Sequence, residues 1–362
     1  MNVAVDILPG LNGGAGRWQR ETIKILGTEI GAKLSGLTTF SFGKRFPRPE
    51  WLPDAVDYRK CYFPGRMQAI LSNAAGVQIE SLFGLDNIES ILVLNLHHLK
   101  TKCPVVLGVA DVSWRTFSGQ YRITFNQTQI RLAEFAIKQA NHILTISEAS
   151  ASELVRGGIP AKRITVGLLG VAEEFRSAAN DINRIRGLYS LPERFVLHVG
   201  GINERKNIRV LVAALELLNG TIPLIMAGPI PPEPLAYWGL DVPWIKHLGY
   251  IPDLDIPGLF ASATVKVFPS KLEGYGLPIV EAMAAGTPVI AADTPVFREV
   301  AGDAAFFFSP DDAPALARSI SMAFESNDFR LEHIGRGKNL AAIRTWAAYG
   351  DGVFTALMAA RK

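Results

Sequence analysis

The sequence predicts an α/β protein with two doubly wound domains, each built on a parallel sheet that helices cover on both faces. Three observations lead to this prediction. Short apolar runs alternate with helix-length segments, the alternation restarts after a polar stretch near residues 174–192, and a length of 362 residues suits two cores of ordinary size. We therefore expect one domain over residues 1–180 and a second over residues 181–345.

The first series of elements starts at the N-terminus. The strand NVAVDIL is followed by a glycine turn and a helix over RWQRETIKILGTEI. Ser147 or Ser150 caps a later helix that ends at a glycine, before a strand at ITVG. Between these segments, buried strands are predicted at SILVLNL, PVVLGVA and HILTIS.

The second series repeats the pattern after the polar stretch. Its predicted helices are NIRVLVAALELLN, IPGLFASA and GLPIVEAMAAG. Its predicted strands are FVLHVGG, IPLIMAG, the short WIKHLGYI, TVKVFPS and PVIAAD. Two doubly wound domains that face each other leave a ligand cleft at the carboxyl ends of their strands.

Composition and charge limit the classes of function. The two cysteines, Cys61 and Cys103, form neither a disulfide framework nor a metal-type cluster, and the start of the chain predicts a first strand rather than a signal peptide. No apolar run approaches the roughly 20 residues that span a bilayer. We expect a cytoplasmic protein, with peripheral contact at the inner face of the plasma membrane as an alternative left open.

Charge is unevenly distributed along the chain. Residues 1–190 carry 22 basic and 16 acidic side chains, whereas residues 191–362 carry 15 and 18. A basic first half suits an anionic membrane surface or a phosphorylated partner, and an ordinary solvated surface explains it equally well. We do not expect nucleic acid as a partner, because the basic residues form no dense run and no base-recognition module is present.

The strongest candidate site is the stretch SKLEGYGLPIVEAMAAGTPV, where Glu273 and Glu281 stand eight positions apart. A strand ends before it, and the proline that follows the glycine turn suits the first turn of a helix. Backbone amides at such a helix start bind phosphate, and a carboxylate on either side can accept hydrogen bonds from sugar hydroxyls. Taken alone, Glu281 could merely complement the helix dipole.

A second candidate is the adjacent pair Arg205 and Lys206 in HVGGINERKN. Cations at the start of a helix are unfavourable unless an anion lies there, and a diphosphate is such an anion. A third candidate is the loop LPGLNGGAGRWQR, in which Gly13 and Gly14 could bring backbone amides to a phosphate or a sugar. NAD is not favoured, because the expected acidic residue for a ribose is missing.

Together these motifs resemble glycosyltransferase family 4, the retaining GT-B enzymes, over nearly the whole chain. The E-x7-E signature of that family matches Glu273 and Glu281, its phosphate pair matches Arg205 and Lys206, and its glycine loop matches Gly13 and Gly14. The ending REVAGDAA and the RKN variant are most similar to branches that make bacterial surface polysaccharide, including lipopolysaccharide. The resemblance implies a GT-B fold and a final helix over 346–362 that crosses back to the N-terminal domain.

The resemblance also implies roles for these residues. Glu281 would bind the ribose, Glu273 would face the donor sugar, and Arg205 and Lys206 would stabilise the departing diphosphate. The donor would lie on the backbone of the signature turn, formed by Gly274, Tyr275, Gly276 and Leu277. The expected reaction transfers a hexose, with mannose from GDP-mannose favoured over a UDP-sugar, to a saccharide or polyprenyl-diphosphate-linked acceptor.

One position departs from the family pattern. Many members have a His-Asp pair after a strand of the N-terminal domain, and here Ala110 stands in place of the histidine while Asp111 remains. Asp111 is therefore the candidate for an acceptor contact. His97 and His98 could replace the missing histidine, although they are better explained as ordinary strand-end residues.

We expect neither a metal nor another cofactor. Asp253 and Asp255 flank Leu254 as in the metal-binding Asp-x-Asp of GT-A enzymes, but the surrounding loop predicts a turn and a helix cap instead.

The acceptor domain also has basic and aromatic segments that could contact a membrane or could simply be solvated. Their candidate residues are Trp18, Arg20, Lys24, Lys44, Arg45, Arg48 and Trp51.

Two other functions remain open at this point. A nonhydrolysing nucleotide-sugar epimerase of the same fold would bind the same donor without an acceptor. A non-catalytic nucleotide-sugar-binding subunit is the other alternative, and Ala110 is the feature that favours it.

Overall fold

The computed structural model describes residues 1–7, 13–40, 47–64, 77–96, 100–116, 127–230 and 233–362. Lys44, Arg45, His97 and His98 lie outside these residues. The described part forms two compact units. One contains the described residues up to Leu169 together with Trp346–Lys362, and the other is Gly170–Thr345.

The first unit is built on a seven-stranded sheet in which every strand pairs in parallel. The strand order is β3-β2-β1-β4-β5-β6-β7. The strands are β1 (Asn2–Asp6), β2 (Lys33–Phe40), β3 (Asp57–Pro64), β4 (Ser90–Val93), β5 (Val105–Val109), β6 (His142–Thr145) and β7 (Ile164–Val166). The helices are α1 (Gly13–Thr28), α2 (Ile79–Phe83), α3 (Ser113–Thr116), α4 (Gln127–Gln139), α5 (Glu148–Arg156) and, at the end of the chain, α14 (Trp346–Ala359).

The second unit has a six-stranded parallel sheet of order β10-β9-β8-β11-β12-β13. Its strands are β8 (Val196–Val199), β9 (Leu224–Ala227), β10 (Ile245–His247), β11 (Val265–Phe268), β12 (Val289–Ala292) and β13 (Ala305–Phe308). Its helices are α6 (Glu173–Arg176), α7 (Ile182–Tyr189), α8 (Ile208–Leu217), α9 (Ile256–Ser262), α10 (Leu277–Ala284), α11 (Pro295–Ala301), α12 (Ala313–Glu325) and α13 (Asn327–Ile343).

The central strands of both sheets have apolar sequences, as their burial requires. Because helices cover a parallel sheet on both sides, its central strands are apolar throughout rather than alternating. In β4, β6, β9, β11 and β12 every residue is buried. Strands β2 and β3 are not among the predicted elements, because the segments KLSGLTTF and DYRKCYFP carry polar and basic residues that hide a strand pattern.

In each sheet the strand order reverses next to the first strand of its unit. The chain adds β2 and β3 on one side of β1 and then returns to place β4 on the other side. It does the same around β8, with β9 and β10 on one side and β11 on the other. Such a reversal opens a crevice at the carboxyl ends of the two central strands, which is where open α/β sheets bind ligands.

The division between the units falls earlier than the predicted residue 180. The chain passes into the second unit at Gly170, because the segment that follows packs there. The ring of Phe175 lies 5.8 Å from that of Phe260 in an edge contact, and Arg176 donates a hydrogen bond to the carbonyl oxygen of Ala341.

The final helix α14 packs within the first unit. Tyr349 is fully buried, accepts a 2.6 Å hydrogen bond from Trp18 Nε1, and lies 2.9 Å from the hydroxyl of Thr22. A Cβ built on Gly350 would lie 2.6 Å from the Ile25 side chain, so glycine lets α14 approach α1 closely. The residues after Thr345 therefore supply part of the core of the first unit.

We expect Tyr349→Phe to lower the free energy of unfolding of the first unit by about 1–3 kcal/mol, because two buried polar partners lose a hydrogen bond. Urea denaturation followed by far-UV circular dichroism measures the change. Tyr237→Phe is the matched control, because that side chain is 55% exposed. A Tyr349→Phe protein as stable as the control variant would show that these hydrogen bonds contribute nothing.

Two of the proposed membrane-contact residues have structural roles instead. Trp18 is 5% exposed and packs on Gly108, where a Cβ would lie 2.9 Å from its ring. Arg48 donates hydrogen bonds to the carbonyl oxygens of Val56 and Pro53 and so closes its own loop. Lys24 is exposed, and Arg20 and Trp51 are half-buried.

Candidate functional site

The candidate site lies where β8 and β11 end, at the reversal of the second sheet. The backbone after β8 forms a 3₁₀ turn over Glu204–Lys206, and the loop after β11 leads to α10. The amide of Lys271 donates a 3.0 Å hydrogen bond to the carbonyl oxygen of Arg205, which joins the two loops. Arg205 Nη1 also donates to the carbonyl oxygen of Leu272 at 2.8 Å.

Glu273 lies between two cations. Lys206 Nζ is 2.6 Å from one of its carboxylate oxygens, and Arg205 Nη1 is 2.6 Å from the other. The side chains of Lys206 and Glu273 are 12% and 14% exposed, whereas that of Arg205 is 37% exposed. The structure thus brings together three residues that the sequence placed 67 and 68 positions apart.

The local sequence fixes the turn that carries both cations. The side chain of Asn203 accepts a 3.1 Å hydrogen bond from the Lys206 amide and so caps the 3₁₀ turn. Asn207 follows in the left-handed conformation, with φ +52°, which asparagine tolerates better than most residues. Its side chain also donates to the carbonyl oxygen of Pro310 at 2.7 Å, so the turn is held at both ends.

The ion pairs control the charge on Glu273. Burial by itself would raise the pKa of Glu273, but the charges of Lys206 and Arg205 outweigh burial and lower the pKa to about 2. The carboxylate is therefore ionised at neutral pH. Two cations against one carboxylate leave this edge of the sheet with a net positive charge that suits an anionic ligand.

We expect the stability of the second unit to fall as the pH drops from about 4.5 to about 2, because Glu273 is ionised in the folded protein over that range and protonated in the unfolded chain. The contribution present above pH 4.5 has an upper limit of roughly 3 kcal/mol. Chemical denaturation at several pH values measures it. Glu273→Gln should flatten this part of the pH dependence.

Asp293→Asn is the control for that experiment. Asp293 also pairs with an arginine, Arg298, but the two side chains are 43% and 54% exposed. Solvent screens such a pair, so its removal should change the pH dependence much less. Equal effects of the two substitutions would contradict the assignment to Glu273.

The helix start beside Glu273 has the features of an anion site. Gly276 is the residue before α10 and has φ +98°, a conformation that favours glycine, and as a glycine it provides no side-chain cap for the helix. A Cβ on Gly276 would lie 3.1 Å from the ring of Phe297. Pro278 occupies the first turn, where its missing amide costs nothing.

The other signature residues are more buried than a ligand-facing role would suggest. Glu281 is 3% exposed and is the fifth residue of α10, so it lies in the second turn of that helix. Tyr275 is 3% exposed, and burial raises the pKa of its hydroxyl. A ligand contact from Tyr275 would therefore come from its backbone. Gly274 and Leu277 are also buried.

Three buried polar residues beside this site are not among the predicted site residues. Lys266 is fully buried on β11, donates only a 3.3 Å hydrogen bond to the Val267 carbonyl oxygen among its described contacts, and lies 5.2 Å from the centre of the Phe268 ring. Lys206 lies 5.3 Å from the same centre. His198 and Ser270 are also fully buried. In the sequence, these residues could have been recognised as charged or polar residues within the otherwise apolar segments FVLHVGG and TVKVFPS.

Burial disfavours the charged forms of two of these groups. It lowers the pKa of Lys266 well below its usual range, and the charge of Lys206 lowers that pKa further. Burial, followed by the charges of Lys266 and Lys206, also lowers the pKa of His198. Both shifts favour the uncharged forms of Lys266 and His198, whereas Arg205 and Lys206 form the ion pairs with Glu273.

Glycines end three adjacent strands on one side of the site. Gly200 follows β8 with φ +145°, Gly228 follows β9 with φ +142°, and Gly249 follows β10 with φ +71°. The amide of Gly228 donates to the Gly249 carbonyl oxygen at 2.8 Å, and the amide of Gly200 donates to Ala227 at the same distance. This edge of the sheet therefore has half-buried backbone without side chains at the ends of three adjacent strands.

The remaining predicted site residues belong to the first unit. Gly13 begins α1 with φ +66°, and a Cβ on Gly13 or Gly14 would meet no heavy atom of the described residues within 4 Å. Asp111 follows β5, and its carboxylate accepts a 3.0 Å hydrogen bond from the Ser113 amide at the start of α3. Ala110 accepts a hydrogen bond from Ser150 through its carbonyl oxygen.

The Asp-x-Asp sequence has a structural role. Asp255 precedes α9 as predicted for a cap, yet its side chain does not cap the helix and instead accepts hydrogen bonds from Arg184 and Tyr189 at 2.7 Å each. Within the described ranges, no group of three or more His, Cys, Asp or Glu side chains could hold a metal ion. None of the described helices combines the length and the hydropathy that crossing a membrane requires.

Part of the chain matches a known family. Residues 181–340 match the family model described as Glycosyl transferases group 1. O-antigen chain mannosyltransferase B of Escherichia coli is 34% identical over 223 residues, which are 58% of this chain and 58% of that protein. The aligned region thus spans little more than half the length of this relative.

Solved structures match over nearly the whole length. Sucrose-phosphate synthase of Thermosynechococcus elongatus has a TM-score of 0.75 at 17% identity and covers 98% of this chain and 97% of its own. HepE of Anabaena, solved in complex with UDP and glucose, has a TM-score of 0.75 at 20% identity over 99% of both chains. These similarities confirm the predicted fold, which is GT-B with two parallel-sheet α/β domains.

Proposed function

We propose that this chain, in which residues 181–340 form a Glycosyl transferases group 1 domain, is a retaining hexosyltransferase of family 4. It transfers mannose from GDP-mannose to a saccharide or a lipid-linked acceptor during the synthesis of surface polysaccharide. The name of the Escherichia coli relative supports mannose and the polysaccharide product. The UDP bound to HepE keeps a UDP-sugar as the alternative donor.

The observation that supports this proposal most is the arrangement of Glu273, Arg205 and Lys206 beside the start of α10. A nucleotide sugar has a diphosphate between two polyhydroxylated rings. The two cations and the helix start suit the diphosphate, and Glu273 suits hydroxyls of the transferred sugar. Glu281 is the proposed ligand of the ribose. This role requires that the ribose reach the carboxylate of a residue that is 3% exposed in the structure.

In the proposed reaction, the bond between the anomeric carbon and the diphosphate oxygen breaks as the acceptor oxygen bonds to that carbon from the same face. The acceptor proton passes to the leaving phosphate oxygen. Negative charge develops on the diphosphate, and Arg205 and Lys206 stabilise it electrostatically. In this proposal the two cations and the helix dipole take the place of a metal ion, and no cofactor takes part.

The acceptor side of the proposal concerns the first unit. Gly13 and Gly14 would approach the donor through their backbone, and Asp111 would contact the acceptor hydroxyl. We propose a cytoplasmic protein that makes peripheral contact with the inner face of the plasma membrane, where a polyprenyl-diphosphate-linked acceptor is held.

Thermal unfolding with GDP, UDP, ADP and NAD at equal concentrations tests the donor site. A ligand at about 100 times its Kd raises the free energy of unfolding by roughly 2.7 kcal/mol. Stabilisation by GDP would support GDP-mannose as the donor. Stabilisation by UDP would instead support a UDP-sugar as the donor. Stabilisation by NAD alone, or by none of the four, would overturn the nucleotide-sugar assignment.

Incubation with the donor identified in this way separates transfer from the two alternatives. A transferase forms a glycosylated acceptor, and NMR of the product reports whether the anomeric configuration is retained. An epimerase of the same fold would alter the donor without any acceptor. A binding subunit would be stabilised by the nucleotide and leave both compounds unchanged.

A further inference from the structure

One surface of the first unit combines exposed apolar side chains with basic ones. It is formed by α4 and the carboxyl end of α5, and we name it the α4–α5 face. Leu132 is 50% exposed, Phe135 is 45% exposed and Val155 is 44% exposed. The exposed cations of the face are Arg131, Lys138 and Arg156.

The helical periodicity of α4 places these residues on one side. Ala133, Ala136 and Ile137 are buried against the sheet. Arg131, Phe135 and Lys138 recur at intervals of four and three residues, so they lie above one another on the opposite side. Phe135 is thus flanked along the helix by two basic side chains, with Leu132 beside it.

Arg115 joins α4 to the end of α5. Its guanidinium pairs with Glu134 of α4, with Nη2 2.5 Å from the carboxylate. A Cβ on Gly157, the residue after α5, would overlap the same guanidinium, so the two helices meet at this point. Arg163 continues the surface, because it donates hydrogen bonds to the carbonyl oxygens of Lys138 and Ala140.

The charge of this region is strongly positive. Its six cations are Arg115, Arg131, Lys138, Arg156, Lys162 and Arg163, against two carboxylates, Glu134 and Glu153. Glu134 pairs with Arg115, and Glu153 pairs with Arg156. The net charge is therefore +4, and both carboxylates are engaged by arginines within the face. Glu148 lies seven residues before Val155, at the other end of α5.

We infer that the α4–α5 face binds the surface of an anionic lipid bilayer. Basic side chains attract anionic headgroups, and apolar side chains beside them enter the boundary between headgroups and acyl chains. An acidic protein would satisfy the cations, but it would not require Leu132, Phe135 and Val155 to be exposed among them. This inference deepens the proposed membrane contact and replaces Trp18 and Arg48 as its residues.

Vesicle sedimentation with the full chain tests this inference without any transfer reaction. The probes are phosphatidylcholine vesicles with and without about 30% phosphatidylglycerol, at about 50 and 500 mM NaCl. We expect binding that requires phosphatidylglycerol and weakens at high salt. Arg131→Glu/Lys138→Glu and Leu132→Ser/Phe135→Ser should each weaken binding at least about tenfold, because one removes attraction and the other removes insertion.

Arg318→Glu/Leu331→Ser is the matched control, because it changes an exposed cation and a 56% exposed leucine in the second unit. Its binding should stay within about twofold of the unchanged protein, since neither residue lies on the face. Equal binding to both vesicle types, no binding, or unchanged binding by the face variants would overturn the inference. Thermal stabilisation by nucleotide in the same variants reports on the proposed donor site separately, so the two proposals can fail independently.

Discussion

Replacing Lys206 with alanine is expected to lower kcat for glycosyl transfer about 10²–10³-fold, the usual cost of removing one group that stabilises a developing charge. Lys206 is the less exposed of the two cations, and its ammonium lies 2.6 Å from Glu273. Its loss removes charge stabilisation from the leaving diphosphate and leaves Glu273 with Arg205 as its remaining described ion-pair partner. Steady-state kinetics with saturating donor measures the change.

Lys271→Ala is the control for the Lys206 experiment. Lys271 lies on the adjoining loop but pairs with Asp311, whose side chain is 80% exposed. We expect its replacement to change kcat less than about threefold, because a screened surface pair contributes little. Lys206→Arg should recover only part of the activity, because the planar guanidinium of arginine does not reproduce the compact charge of the lysine ammonium. Full activity of Lys206→Ala would contradict the proposal that Lys206 stabilises the leaving diphosphate.

Gly228→Ala is expected to destabilise the second unit by about 2–4 kcal/mol and to abolish nucleotide binding. A Cβ on Gly228 would lie 2.3 Å from the carbonyl oxygen of Gly200, and φ +142° is a conformation that L-residues rarely adopt. The ends of β8 and β9 must separate to remove this overlap. That movement displaces the turn that carries Arg205 and Lys206.

Chemical denaturation and the nucleotide-dependent thermal shift measure the two parts of this effect. Gly335→Ala is the control, because Gly335 lies within α13 and a Cβ there would meet nothing within 4 Å. That substitution should be neutral or stabilising by up to about 1 kcal/mol, because it restricts the unfolded chain. If Gly228→Ala is as stable as this control, the close approach of the two strand ends is not required.

Local patterns predicted most of the second unit. Its strands are apolar and its loops contain the turn residues that mark their ends, so both periodicity and motif spacing place Arg205, Lys206 and Glu273 at strand ends. What the sequence could not give was the direct pairing among them. That pairing depends on β8 and β11 becoming neighbours, which is a property of strand order rather than of either segment.

The first unit was harder to predict. Strands β2 and β3 lie on one side of the sheet and carry polar residues, so burial does not mark them. Trp18 was predicted on an exposed helix face because its hydrogen-bond partner, Tyr349, is 331 positions away. Lys266 was overlooked because burying a lysine is costly, so an apolar strand is not expected to contain a fully buried one.

The packing of α14 on α1 has a consequence for the order in which the protein is made. Residues that complete the hydrophobic interior of the first unit emerge from the ribosome only after the entire second unit has been synthesised. The nascent chain must therefore carry α1 with the Trp18 indole and the Thr22 hydroxyl uncovered while 176 residues, Gly170–Thr345, are translated. Among the described residues the second unit is one continuous segment, so it can fold before the first unit is complete.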